Sequence, residues 1–344
     1  KYYSWGSPEK IAVVHSVNKS VTSGFIGIVL DKGYLDSADQ KLIDFFPEYA
    51  SGDLDPRIKE ISIKHILTMS AGFRWNDLGP VMRDWYTSED WAKFTIQLPL
   101  VTKPGDKFNY NSSISHLLSI ILTKSTKTST LDFAKQNLFE PLGIQSAFWR
   151  QDPKGYHIGG FGLGFSARDL AKFGFLYLNN GYWNGQSIVT EQWVKQSTEQ
   201  HIQAVWHPFY GTFGYGYQWW VKQVDGCSSF RAWGRRGQYI VVVPELDLVI
   251  AVTSNPGLPH PPTSIHYSPL FDLVAASVKR KRPPKSPLTA VELPADVKAF
   301  ILDYDQARFN KDVVKMAELI SDQFLYNGVT KQMAVEFLSR NLPY

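Results

Sequence analysis

The stretch from Val17 to Leu30, Val-Asn-Lys-Ser-Val-Thr-Ser-Gly-Phe-Ile-Gly-Ile-Val-Leu, restricts the fold more than any other. It reads as one helix. Its polar side chains are confined to the first two turns, and from Phe25 onward it is apolar on every face. Such a helix cannot lie on a surface, so the fold must supply packing layers all around it. Gly33, after Asp31 and Lys32, is the expected residue just past its end. At the other end Ser16 and Lys19 stand at i and i+3, on one face and close enough to touch. A hydroxyl is a weak nucleophile at neutral pH and needs a base. A lysine serves if it is neutral part of the time, which burial and neighbouring cations favour. The N–H groups of the helix start would stabilise developing negative charge. The spacing alone decides little, because Ser7-Pro8-Glu9-Lys10 repeats it; only the second copy heads a long apolar helix.

The 344 residues allow one large domain with an appendage, or two domains. A net charge of +4 is too small to argue for nucleic acid. The basic run Lys279-Arg280-Lys281-Arg282 beside a proline cluster reads as a solvated helix end and linker. No apolar run is long enough to span a bilayer. The lone Cys227, in a turn-like context, excludes an intramolecular disulfide framework and a cysteine metal site, and it is not read as a nucleophile. The 8 histidines lack metal-ligand spacing, so neither a metal nor a cofactor is expected. No signal peptide is visible, and the chain starts at Lys1 without a methionine.

Along the chain, Tyr2, Tyr3 and Trp5 look like the tail of a strand. Residues 36–46 read as a short helix stopped by Pro47, and 61–73 as an extended piece, a helix and a glycine stop. Lys103-Pro104-Gly105-Asp106 is a turn, followed by helices over 114–123 and 131–138. The glycine-rich 159–165 lacks the setting of a phosphate loop. Ser166 should cap a helix over 167–179, with Asp169 in its first turn. Residues 230–254 read as three successive antiparallel strands joined by a hairpin at 244–247, with a helix over 268–279 packing back on them. Residues 1–282 are thus taken as one domain, 283–289 as a proline-rich linker, and 290–344 as a small helix-rich appendage.

Two further elements suit the Ser16–Lys19 pair. In Tyr110-Asn111-Ser112, after the Pro-Gly turn, the tyrosine hydroxyl is placed to shuttle a proton between Ser16 and a leaving group. In Gly234-Arg235-Arg236-Gly237-Gln238, at the start of a strand, the arginines suit a substrate carboxylate and would help keep Lys19 deprotonated. The glycines there let backbone approach a substrate, and an N–H near Gln238 would complete an oxyanion hole. His15 reads as structural, His116 as an ordinary helix residue, and the aromatics Trp206, Phe209, Tyr210, Tyr215, Tyr217, Trp219 and Trp220 as cleft wall or core.

In this order the motifs resemble the serine β-lactamase-related family: class C β-lactamases, D,D-peptidases, esterases and aminohexanoate-dimer hydrolases. The resemblance rests on Ser16 to Ser23, Ile63 to Gly72, Pro104 to Ser112, Phe139 to Ile144, Ser166 to Gly174 and Gly237 to Val249, and spans about residues 1–280. It implies an α/β (α+β) fold of β-lactamase/transpeptidase type, an antiparallel sheet flanked by helices with a mainly helical subdomain. It implies Ser16 as the acylated nucleophile, Lys19 as general base, Tyr110 as second proton-transfer residue, and the Ser16 and Gln238 N–H groups as oxyanion hole. Ser112, Arg235, Arg236 and Gly237 would then bind substrate. The family often has Asn where Ser112 stands, and Lys/His-Thr/Ser-Gly where Arg235-Arg236-Gly237 stands. Both departures point away from β-lactam hydrolysis and toward metal-independent cleavage of a small-molecule or peptide-like ester or amide. The alternatives are a penicillin-reactive D,D-peptidase and a non-catalytic penicillin-binding-like protein. The resemblance implies export to periplasm or medium, with the cytoplasm left open. Residues 290–344 loosely resemble the start of a SnoaL-like domain, available for self-association.

Overall fold

The computed structural model describes residues 10–50, 54–145, 147–205, 212–254 and 268–281. The linker, the 290–344 appendage, the strand-like Tyr2, Tyr3 and Trp5, and Trp206, Phe209 and Tyr210 lie outside these.

Strand β1 (Ala12–Val13) turns through His15 into α1 (Val17–Asp31), every residue of which from Val17 to Val29 is buried. Gly33 follows the helix with φ +72°, and the carbonyls of Leu30 and Val29 accept from Gly33 N and Tyr34 N. Further helices come next: the short α2 (Ile63–Leu67), α3 (Pro80–Thr87) and α4 (Trp91–Ile96), then the long α5 (Ser112–Thr126) and the short α6 (Thr130–Ala134). Asn111 caps α5 by accepting from Ser113 N and Ile114 N, so the helix starts two residues before the point read from periodicity. The helix expected over 36–46 is a single 3-10 turn, Leu42–Phe45, and Pro47 opens a second turn, Pro47–Tyr49. Proline suits a first helical position, so it begins a turn here as well as ending one. The helix expected over 131–138 ends at Ala134 and continues as a π-turn, Lys135–Phe139.

After β2 (Phe148–Trp149) and β3 (Leu163–Phe165), Ser166 and Asp169 form a reciprocal capping box at the start of α7 (Ala167–Leu178). The small hairpin β4 (Tyr182–Trp183) and β5 (Gln186–Ser187) leads to α8 (Glu191–Thr198). A six-stranded antiparallel sheet of the described residues then forms from β6 (Ile202–Val205), β7 (Thr212–Tyr215), β8 (Trp220–Val221), β9 (Phe230–Gly234), β10 (Gln238–Val243) and β11 (Leu248–Val252), in sequential order. Helix α9 (Ser268–Lys281) follows.

Strand β10 explains the layering. Its alternate residues face opposite ways. Ile240 and Val242 join the main core with α1 and α7, while Tyr239, Val241 and Val243 pack with Phe271, Ala275 and Val278 of α9. Both faces of the sheet are therefore covered. Gly174 lets α7 lie close, since a Cβ there would be 2.6 Å from Val249 Cγ1 and 2.7 Å from Ile240 Cγ2. Helix α1 runs between the sheet and α5, which accounts for its lack of a polar face. Gln218 ties the two halves together from the β7–β8 turn: its side chain donates to the carbonyls of Ile66 and Leu67 at 3.0 Å and accepts from Ser115 Oγ at 2.8 Å. No helix among the described residues is long and apolar enough to cross a membrane.

Candidate active site

The site lies where the first turn of α1 meets the loop before α5 and the β9–β10 hairpin. Its shape begins with backbone. His15 takes φ +49°, a left-handed turn that carries the chain from β1 into the helix. Ser16 then holds the N-cap position, yet its hydroxyl makes no capping hydrogen bond. A serine there ordinarily spends its oxygen on the helix N–H groups; this one keeps it for side chains.

Lys19 is 1% exposed, and its Nζ contacts three oxygens: Ser16 Oγ at 3.1 Å, Ser112 Oγ at 2.9 Å and the Gly160 carbonyl at 2.9 Å. Burial lowers its pKa from the ordinary 10.5 to about 8, against the opposing field of the Asp77 carboxylate. The sequence suggests that the arginines share in this lowering. Burial carries it instead, and the charge that acts on the amine is negative.

The Tyr110 hydroxyl hydrogen-bonds Ser16. Its ring stacks on Trp220 at 5.6 Å, with Lys19 Nζ 4.8 Å from its centroid. Neighbouring asparagines fix the loop: Asn109 Nδ2 donates to the Phe73 carbonyl at 3.0 Å, and Asn111 caps α5. Burial and the Asp77 charge hold the phenol far above its ordinary pKa. At neutral pH it is a hydrogen-bond donor rather than a phenolate. Tyr215 and Trp220 are buried core against this loop, and Trp219 is buried against Phe173 and Tyr177 of α7, so none is open cleft wall.

Ser112 is 2% exposed and its hydroxyl turns inward, donating to Asp77 Oδ2 at 2.6 Å while accepting from Lys19. That places it beneath the site rather than facing open solvent, where a substrate contact was expected. Asp77 also accepts from Ser112 N at 2.9 Å and from Trp75 Nε1.

Arg235, Arg236 and Gly237 form the turn between β9 and β10, with φ +68° at Arg236 and +83° at Gly237. Arg235 is exposed. Gln238 pairs with Gly234 across the hairpin, and its side chain is held by Ser254, whose hydroxyl in turn donates to the Arg236 carbonyl. Gly234 lets the hairpin reach the turn before Ser16, because any Cβ would run into the Val14 carbonyl oxygen. Among the described residues, no backbone carbonyl takes the Ser16 N–H.

Three residues of this region carry no sign of their contacts in the sequence. Asp77 sits in an aromatic loop with no local sign of its role. Gly160 belongs to the glycine-rich segment set aside as a poor phosphate loop, and it offers a carbonyl rather than N–H groups. His116, read as a plain helix residue, is fully buried with its Nε2 2.9 Å from Asp152 Oδ2. Its Nδ1 accepts from Gly159 N at 3.4 Å, which fastens the segment bearing Gly160 to α5. Among the described residues, no His, Cys, Asp and Glu side chains gather as a metal site would require.

A family model described as Beta-lactamase matches residues 6–268. Over 301 residues the chain is 25% identical to the 6-aminohexanoate-dimer hydrolase of Paenarthrobacter ureafaciens, covering 81% of this chain and 74% of that protein. The octameric penicillin-binding protein homologue from Pyrococcus abyssi aligns with TM-score 0.63 and 21% identity, over 88% of this chain and 71% of that one. A family VIII carboxylesterase aligns with TM-score 0.59 and 14% identity, over 79% of this chain and 84% of that one.

Proposed function

From the premise that the chain belongs to the beta-lactamase family, we propose that it is a serine hydrolase that cleaves an ester or amide through an acyl-enzyme on Ser16. The observation that carries this reading is Lys19 Nζ, buried, with a pKa of about 8, 3.1 Å from Ser16 Oγ. At pH 7 about a tenth of such an amine is neutral, enough for a base whose strength matches its task. Ser16 Oγ attacks the substrate carbonyl as Lys19 takes its proton. The N–H groups of Ser16 and Gln238 receive the oxyanion. Tyr110 gives its phenolic proton to the departing oxygen or nitrogen, and the Lys19 ammonium restores it. Water then repeats the attack in reverse order and frees Ser16. The exposed Arg235 and the Arg236 beside it suit a carboxylate on the substrate.

The test is hydrolysis of small ester and amide panels as a function of pH. The acylation rate should rise with pH through an apparent pKa near 8, the folded-state value of Lys19. A profile flat from pH 6 to 9 would reject Lys19 as base.

Tyr110→Phe separates the two proton-transfer roles. A p-nitrophenolate leaves without a proton, so p-nitrophenyl esters should lose no more than about tenfold. Amides must have the leaving nitrogen protonated and should lose about 10²–10³-fold in kcat. Equal losses on both substrates would assign Tyr110 to binding.

A further inference from the structure

We propose that Asp77 is a positioning residue for this reaction. Its carboxylate, acting through the Ser112 hydroxyl, sets the direction of the hydrogen-bond chain so that the Lys19 lone pair faces Ser16. The inference rests on the reading of Lys19 as base.

The argument is one of donors and acceptors. An ionised carboxylate only accepts. Asp77 Oδ2 lies 2.6 Å from Ser112 Oγ, so the one hydroxyl proton of Ser112 is committed to it. The remaining lone pairs of Ser112 Oγ then face Lys19 Nζ at 2.9 Å and can only accept. The Gly160 carbonyl, also at 2.9 Å, can only accept as well. A neutral amine has two N–H bonds and one lone pair. Both N–H bonds are taken by these acceptors, and the lone pair is left for the third partner, Ser16 Oγ at 3.1 Å. Without Asp77, the Ser112 hydroxyl could rotate and donate its own proton to that lone pair, silencing the base. Asp77 is itself fixed by Ser112 N and Trp75 Nε1.

The charge of Asp77 has a second effect. Of the titratable groups around Lys19, Tyr110 from the loop before α5 is a neutral phenol, and Arg235 and Arg236 lie in the turn of the β9–β10 hairpin. Asp77, from the loop before α3, favours the ammonium and opposes burial. Removing its charge must therefore lower the Lys19 pKa.

The experiment compares the pH dependence of fluorophosphonate labelling in the wild type, Asp77→Asn and Ser112→Ala. For Asp77→Asn the acidic limb should move down by about one pH unit, and the plateau rate should fall about 10²-fold, because an asparagine amide can donate to Ser112 and turn its proton toward Lys19. Ser112→Ala keeps the charge, so its limb should stay near the wild-type position while its plateau falls. A plateau fall in Asp77→Asn with an unmoved limb would mean a merely structural residue and would overturn the proposal, as would wild-type labelling in Ser112→Ala. If Asp77→Asn does not fold, Ser112→Ala probes the same link from its other end. Absence of any limb near pH 8 in the wild type would instead defeat the assignment of Lys19 as base.

Discussion

Replacing Lys19 by methionine should lower the acylation rate by about 10⁴-fold, the upper range for loss of a general base, while leaving the protein folded. Methionine is close in length and apolar, so it suits a position that is 1% exposed. The lysine is costly to the fold because an ammonium is held out of water. Its folded-state pKa of about 8 lies below the ordinary 10.5. Between those values the unfolded chain binds more protons than the folded one, so stability rises with pH across that window. Below pH 8 the penalty is fully present, on the order of 3 kcal/mol. Lys19→Met should lack this contribution, so the wild-type-minus-variant stability difference should grow more favourable to the wild type between about pH 8 and 10.5. Urea unfolding at several pH values measures it. The methionine leaves the Gly160 carbonyl and the Ser112 hydroxyl one partner short, which offsets part of the gain at neutral pH. Near-wild-type acylation in Lys19→Met would remove the lysine from the mechanism.

Gly159→Ala should cost about 3 kcal/mol of stability, toward the upper end for overpacking, and lower the thermal midpoint by roughly 5–10 °C. The segment 158–160 lies flat on α5. An added Cβ at Gly159 would collide with the Ser115 carbonyl oxygen and come 3.0 Å from Ser119 Cβ. Backbone on a buried helix cannot give way cheaply. The Gly159 carbonyl also accepts from Asn18 Nδ2 at 2.7 Å and Thr22 Oγ1 at 2.9 Å, one residue before the carbonyl that holds Lys19. Displacing it should loosen the amine and reduce acylation at least tenfold in the protein that remains folded. Calorimetry with single-turnover labelling checks both effects, and a stable variant with full activity would show that the segment relaxes freely.

What the sequence revealed and what it hid divide along the range of the interaction. The apolar run from Phe25 dictated burial between layers, and the structure lays α1 between the sheet and α5, which covers its faces. The β-branched runs in 230–254 became β10 and β11, paired in antiparallel register with β9 before them, since β-branched enrichment and turn residues are local signals. Ser16 and Lys19 meet because three residues along a helix always do. Asp77 could not be found in this way. It reaches Ser112 across 35 residues, and Gly160 reaches Lys19 across 141. No periodicity or cap encodes contacts at such separation. The sequence marks Ser112 only as a substrate contact, and the fold alone shows that its hydroxyl faces Asp77 and Lys19. For Gly159-Gly160 the signal was present in the glycines themselves, which mark close backbone approach; the partner is α5 and the lysine, not a phosphate.

The central claim is that Ser16 is the atom acylated. Tryptic cleavage after Lys10 and Lys19 releases Ile11-Ala-Val-Val-His-Ser-Val-Asn-Lys, in which Ser16 is the sole hydroxyl-bearing residue. After reaction with a fluorophosphonate, peptide mass mapping should place one adduct on this peptide in the wild type and none in Ser16→Ala. An adduct on the peptide carrying Ser7 or on that carrying Ser112, or equal labelling of Ser16→Ala, would contradict it.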